Sequence, residues 1–173
     1  MLLDLGLLVL RVLFGAAIAA HGAQKLFGWF GGYGLKGTGG FFEGLGFRPG
    51  TLFAAAAGLS EFGGGILFAL GLFTPLGSAA ILAAMLVAIV SVHLKNGFFT
   101  MNNGIELPLL YAISAVGVSL SGPGSISLDA AFGLTFFTHP FIVASALVLA
   151  LIGAGVTLAL RTNPEAQELA TQN

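Results

Sequence analysis

The sequence predicts an all-α integral membrane protein: a four-helix transmembrane bundle with a fifth transmembrane helix toward the C-terminus. Three observations carry this. Only 8% of the 173 residues are charged against 57% hydrophobic, and mean hydropathy is +1.00, so a water-soluble domain could not cover its surface. Five apolar segments reach or approach the roughly 20 residues a helix needs to cross a bilayer. The connections between them are glycine-rich, and the longest is also rich in aromatic rings, as expected at a membrane interface.

The first segment, Leu3–Phe27, carries Asp4 near its start and no basic region before it. Its end, "HGAQK", is no small-residue cleavage site, so it reads as a retained helix rather than a secretory signal. The second and third, Leu52–Leu72 and Leu76–Leu94, share the link "GLFTPLG", too short for anything but a tight turn, and form an antiparallel hairpin. The fourth, Ile105–Leu120, is the shortest. It opens "IELPLL", where Pro108 suits a first helical turn and Glu106 the positive end of the helix dipole. The fifth is Phe141–Leu160. No repeat or second domain is evident, which gives a membrane domain over 1–129, a further membrane segment over 130–161 and a polar tail over 162–173.

Basic residues set the expected orientation. Lys25, Lys36 and Arg48 fall in the first connection, Lys95 in the third and Arg161 after the fifth segment. The positive-inside rule places these in the cytoplasm and the N-terminus outside, with the chain in a bacterial cytoplasmic membrane. A net charge of −1 without basic or acidic blocks gives no reason to expect a nucleic-acid partner. The absence of cysteine removes thiol nucleophiles, disulfide exchange, zinc–thiolate sites and cysteine-ligated iron–sulfur clusters from the chain itself.

Polar residues converge at the basic face. His21, Gln24 and Lys25 stand at i, i+3 and i+4 on one helical face. "SVHLKNGFF" brings His93, Lys95 and Asn96 to the same level, and the fourth segment starts there with Asn102, Asn103 and Glu106. Either these side chains anchor in lipid headgroups, or His21, Lys25, His93 and Glu106 border one ligand pocket with Glu61 at its floor. Arg11 and Glu61 lie well inside apolar runs, where an unpaired charge is costly. Counting from the segment ends puts them at depths ~6 Å apart, within an arginine's reach, so an Arg11–Glu61 ion pair is expected. It serves either as a packing element or as a proton-handling site. Tyr111 and Ser114 line the bundle or simply pack. Asp129, after "GPGSIS", caps or ends a turn on the far face, where His139 also belongs. The string "GGYGLKGTGG" lacks the preceding strand and the GK[ST] of a phosphate loop. A haem between His21 and His93 would have its two imidazoles at one level, but histidines near helix ends are more often interfacial or hydrogen-bonded. A metal held by His21, His93, Glu61 and Glu106 would need Glu61 nearer the basic face than the count puts it.

Taken together, "LRVLFGAAIAAHGAQKLFGWFGGYG", "GLSEFGGGILFALGLFTPLG", "VHLKNGFF", "IELPLL" and "GPGSISLD" resemble the DoxX family of small bacterial membrane proteins, from about Leu3 to Asp129. The resemblance implies a four-helix membrane bundle; the fifth segment lies beyond that unit. It further implies a membrane subunit of quinone-linked oxidoreductases, thiosulfate:quinone oxidoreductase among them, or a partner of oxidative-stress and sulfur-handling enzymes. By the same carry-over, Arg11, His21, Gln24, Lys25, Glu61, His93, Asn96, Gly97, Glu106 and Asp129 match the family pattern. Quinone is the implied cofactor. The expected partners are the lipid bilayer with soluble redox enzymes or further copies of the chain. Two other classes stay open: a small-molecule transporter or binder, which intramembrane charges alone would support, and a membrane anchor or assembly factor for soluble enzymes.

Overall fold

A computed structural model describes residues 1–162, and among them there is no strand. The helices are α1 (Leu2–Phe27), α2 (Gly34–Gly44), α3 (Gly50–Leu70), α4 (Thr74–Ala88), α5 (Glu106–Ser121), α6 (Leu128–Ala131) and α7 (Pro140–Ala159). A π-helical and a 3-10 turn extend α4 to Asn96. Four spans, Leu2–Phe27, Gly50–Leu70, Thr74–Asn96 and Pro140–Ala159, are long and apolar enough to cross a membrane, and α5 is a shorter apolar helix. The protein is a multi-pass membrane protein. All five expected segments are helical; the expected polar tail lies, apart from Thr162, outside the described residues.

Small residues let α1 and α3 touch through their backbones. A Cβ at Gly15 would stand 2.6 Å from the Gly65 carbonyl oxygen, and one at Gly65 the same distance from the Gly15 oxygen. A Cβ at Gly22 would fall on the Phe62 backbone. In lipid the hydrophobic effect does not press helices together, so this close van der Waals contact is what joins them. The α3–α4 hairpin closes as expected: Gly71, at φ 61°, ends α3 and Pro75 sits in the first turn of α4. The core between α1, α3, α4 and α5 holds Ile18, Phe68, Ile81, Met85, Ala115 and Val118.

The first connection differs from expectation. The sequence marks it only as a glycine-rich, aromatic connection, and each glycine inside a helix costs about 1 kcal/mol relative to alanine. The structure folds Gly34–Gly44 into α2. Tertiary packing outweighs propensity here: Gly39 is buried where a Cβ would crowd Thr51, and Glu43 Oε1 accepts the Gly50 N–H at 3.1 Å.

Helix α3 overhangs α1 at the α2 end, and this overturns the expected Arg11–Glu61 pair. The sequence count set Leu52 level with the end of α1. In the structure Gly58 is level with Lys25, a Cβ at Gly58 standing 3.4 Å from the Lys25 Cβ. The six-residue offset is ~9 Å of helix. Glu61 therefore meets Lys25, while Arg11 lies at the other end of the bundle, fully buried, and donates to the carbonyls of Ala69 (3.3 Å) and Ile126. Asp129 sits at that end too. Its carboxylate accepts from Phe73 N (2.8 Å), Thr74 N (3.0 Å) and Thr74 Oγ1 (2.6 Å), so it caps α4 from the short helix α6.

Helix α7 starts near Phe73, whose ring packs 5.1 Å from Phe137. It returns to the α2 end, where Arg161 Nε donates to Leu45 O at 2.5 Å and Thr162 N to Gly46 O at 2.9 Å. The apolar helices thus alternate in direction, and Lys25, Lys36, Arg48, Lys95 and Arg161 gather at one end, the basic end.

Candidate functional site

At the basic end the bundle holds a cavity of about 840 Å³. Its size lies in the upper part of the range for small-molecule sites, about 300–1,000 Å³. Helix α1 contributes His21, Gln24 and Lys25, a face it presents because residues three and four apart stack along one side. Helix α3 contributes Ser60 and Glu61, α5 contributes Tyr111, and the π-helical turn after α4 contributes Ser91 and His93. Most of the remaining wall is apolar, with Phe41 and Phe42 of α2, Ala56 and Ala57 of α3, Ala83 and Ala84 of α4, and Ala154 with Leu160 at the end of α7; Tyr33, Thr100, Asn103 and Thr157 add further polar groups.

The charges in this cavity are paired. Lys25 Nζ donates to Glu61 Oε2 at 2.5 Å. The Glu61 side chain is 4% exposed and that of Lys25 27%, so the carboxylate is held inside while the ammonium stands between it and the basic end. An ionised carboxylate in an apolar bundle requires such a partner. Beside it, the ring of His21 meets Tyr111 edge-on with centroids 6.0 Å apart, and Tyr111 meets Phe14 at 5.8 Å. His93 Nδ1 lies 2.8 Å from the Asn103 carbonyl oxygen; that oxygen only accepts, so Nδ1 carries the hydrogen. Gln24 Nε2 donates to Phe30 O at 3.2 Å, tying α1 to the turn that follows it.

Of the eight site candidates Arg11, His21, Gln24, Lys25, Glu61, His93, Asn96 and Glu106, five line the cavity: His21, Gln24, Lys25, Glu61 and His93. Three do not. Arg11 is at the opposite end. Asn96 donates to Val92 O and Asn103 O, and Glu106 Oε2 accepts the Thr100 N–H at 2.9 Å. Both brace the α4–α5 connection instead of facing the cavity, so Glu106 is not part of the expected pocket border. Among the described residues no group of three His, Asp or Glu side chains is placed to hold a metal ion. Sequence reasoning missed Ser91, Tyr33 and the walls from α2 and α7; Tyr111 was left between lining and packing, and does both.

The DoxX family model matches residues 6–94, which spans α1 to the π-helical turn and so most of the cavity's polar groups. The chain belongs to the DoxX family. A Bacillus subtilis protein named "Putative oxidoreductase CatD" is 30% identical over 126 residues, covering 73% of this chain and 86% of the relative. An uncharacterized Haemophilus influenzae protein is 38% identical over 79 residues, 44% of this chain and 59% of the relative. No solved structure matches the chain. Helix α7, which closes one wall of the cavity, lies outside the region the family model matches.

Proposed function

We propose that this DoxX-family protein is the membrane subunit of a quinone-linked redox complex in a bacterial cytoplasmic membrane, and that the cavity at the basic end is its quinone site. The observation that carries this reading is the cavity's make-up: mostly aliphatic and aromatic walls with one buried ion pair, Lys25–Glu61, and a few further polar groups. A quinone needs an apolar slot for its ring and chain and a few donors for its oxygens, and the residues present fit it. The name of the Bacillus subtilis relative points the same way.

Bound quinone would supply a carrier for two electrons and two protons. The chain's own residues bind and orient it. Lys25 Nζ has three hydrogens and gives one to Glu61, leaving donors for a carbonyl oxygen. Glu61, buried and held by that ammonium, is the group placed to hold a proton and pass it to an oxygen at the same spot. The edge-on contact with Tyr111 fixes the His21 ring at the cavity wall. The alanine and phenylalanine walls offer an apolar surface to the quinone ring and chain. Electrons would come from a soluble redox partner at the basic end, where Lys36, Arg48 and Lys95 are exposed.

The test is extraction. The full chain is purified in nanodiscs with native lipids, and co-purified quinone is identified by chromatography and mass spectrometry. Wild-type protein should retain quinone near one per chain, and Lys25→Met should lose most of it. Wild-type protein that retains none and fails to bind added ubiquinone-1 or menadione would overturn the reading and leave the transporter and the assembly factor ahead of it.

A further inference from the structure

Four buried side-chain atoms lack a hydrogen-bond partner among the described residues: Arg11 Nε, Ser78 Oγ, Ser91 Oγ and Ser119 Oγ. Only one of these residues, Ser91, lines the cavity. It is 5% exposed, so bulk water does not satisfy it. A buried hydroxyl left unpaired costs stability, and such a group calls for a specific explanation.

Its place in the chain sets Ser91 apart from the other two serines. Hydroxyls on apolar helices can turn back to the carbonyl four residues earlier. Ser121 does so with Gly117 O at 2.9 Å and Thr157 with Gly153 O at 2.8 Å. Ser91, like Ser78 and Ser119, does not. It lies in the π-helical turn Ile89–His93, where the ladder shifts and Leu94 N bonds to Ile89 O, five residues back. Single π turns inside α-helices occur often at functional sites. This one carries three consecutive lining residues, Ser91, Val92 and His93.

We propose that the Ser91 hydroxyl is a ligand-binding group: it holds an oxygen of the cavity's ligand at a point separate from the Lys25–Glu61 pair. The two points sit on different elements, the π turn after α4 on one side and α1 with α3 on the other. A ligand engaging both needs an oxygen at each point, and a para-quinone has two. This deepens the quinone reading and rests on it. The chemistry of a hydroxyl suits the role. The Lys25 ammonium only donates and an ionised Glu61 only accepts, whereas a serine hydroxyl donates to a carbonyl oxygen and accepts from a phenolic one. Ser91 can therefore hold the oxidised and the reduced form alike. His93 joins it with Nδ1 committed to Asn103 O, which leaves Nε2 as an acceptor in the neutral ring.

The experiment is a stability and titration comparison on the full chain in nanodiscs, with ubiquinone-1 and its reduced form as probes. Ser91→Ala should leave the unliganded thermal midpoint unchanged or higher, because it removes an unpaired buried hydroxyl. It should also weaken binding of both probes about three- to tenfold, the share of one hydrogen bond. Ser78→Ala and Ser119→Ala remove the same kind of orphan hydroxyl away from the cavity and should leave affinity unchanged. Ser91→Thr, which keeps the hydroxyl, should bind more tightly than Ser91→Ala. A Ser91→Ala protein that binds as wild type, or one with a lowered unliganded midpoint, overturns the assignment while the quinone site stands. Failure of the wild type to bind either probe removes both.

Discussion

Lys25 and Glu61, 36 residues apart in sequence and carried by two antiparallel helices, meet at 2.5 Å inside an apolar bundle. The pair is asymmetric: the carboxylate is 4% exposed and the ammonium 27%. Removing either partner should therefore have unequal effects. Lys25→Met strands a buried carboxylate and should lower stability by about 3–5 kcal/mol. Glu61→Gln leaves a lysine that can reach the headgroups and should cost about 1 kcal/mol. The double variant should recover much of the Lys25→Met loss. A thermal-stability cycle checks this, and additive effects would show that the pair is not coupled. Arg11→Leu combined with Glu61→Gln should be additive, since those residues share no partner.

Helix contact through glycine gives a sharper contrast. A Cβ at Gly22 would meet the Phe62 backbone, which cannot yield as a flexible side chain would, while one at Gly63 meets nothing within 4 Å. Gly22→Ala should force α1 and α3 apart at a cost of about 1–3 kcal/mol. Gly63→Ala, inside the same helix pair, should be neutral or stabilise by up to about 1 kcal/mol. Equal thermal midpoints for the two variants would mean that backbone contact does not hold this pair together.

At the far end the Asp129 carboxylate closes the N-terminus of α4 with three hydrogen bonds and is itself buried. Asp129→Ala should lower stability by about 1–3 kcal/mol, as a lost buried cap and unpaired amides require. Amide hydrogen exchange at Phe73 and Thr74 should rise. Quinone retention should persist at temperatures where the variant is folded, because Asp129 does not line the cavity. Loss of the ligand without loss of stability would place Asp129 in the site and contradict the structure.

Apolar runs and turn residues made the helices legible, and clustering of His21, Gln24, Lys25 and His93 toward one face made much of the cavity's polar border legible. What could not be read was register between helices. Counting from segment ends takes α1 and α3 to end level, whereas α3 runs about six residues past that level, beside a helix α2 hidden behind five glycines in "GLKGTGGFFEG". That shift exchanges Arg11 for Lys25 as the partner of Glu61. Likewise Glu106 carries the right chemistry at the right level, but only the path of the α4–α5 connection decides that it turns to the Thr100 amide. Ser91 gave no signal in sequence, because its exposure to the cavity depends on a π turn that no residue type specifies.

Topology gives the last prediction. Lys36 on α2 and Ser125 in the loop before α6 are both exposed and lie at opposite ends of the bundle; Ser125 N is held by Asp4 Oδ1 at 2.8 Å near the start of α1. Five basic residues, Lys25, Lys36, Arg48, Lys95 and Arg161, gather at the Lys36 end, so the positive-inside rule predicts that this end, and the cavity with it, faces the cytoplasm. The chain has no cysteine, so single substitutions Lys36→Cys and Ser125→Cys report without background. With a membrane-impermeant maleimide, Ser125→Cys should label on intact cells and Lys36→Cys only after permeabilisation. The reverse pattern would turn the basic end outward, where a cytoplasmic redox enzyme could not reach it. Labelling of both on intact cells would be incompatible with helices that alternate between two ends. Only the first pattern is compatible with the proposed quinone-linked function, which needs a soluble donor and a lipid-borne acceptor to meet at the same end of the bundle.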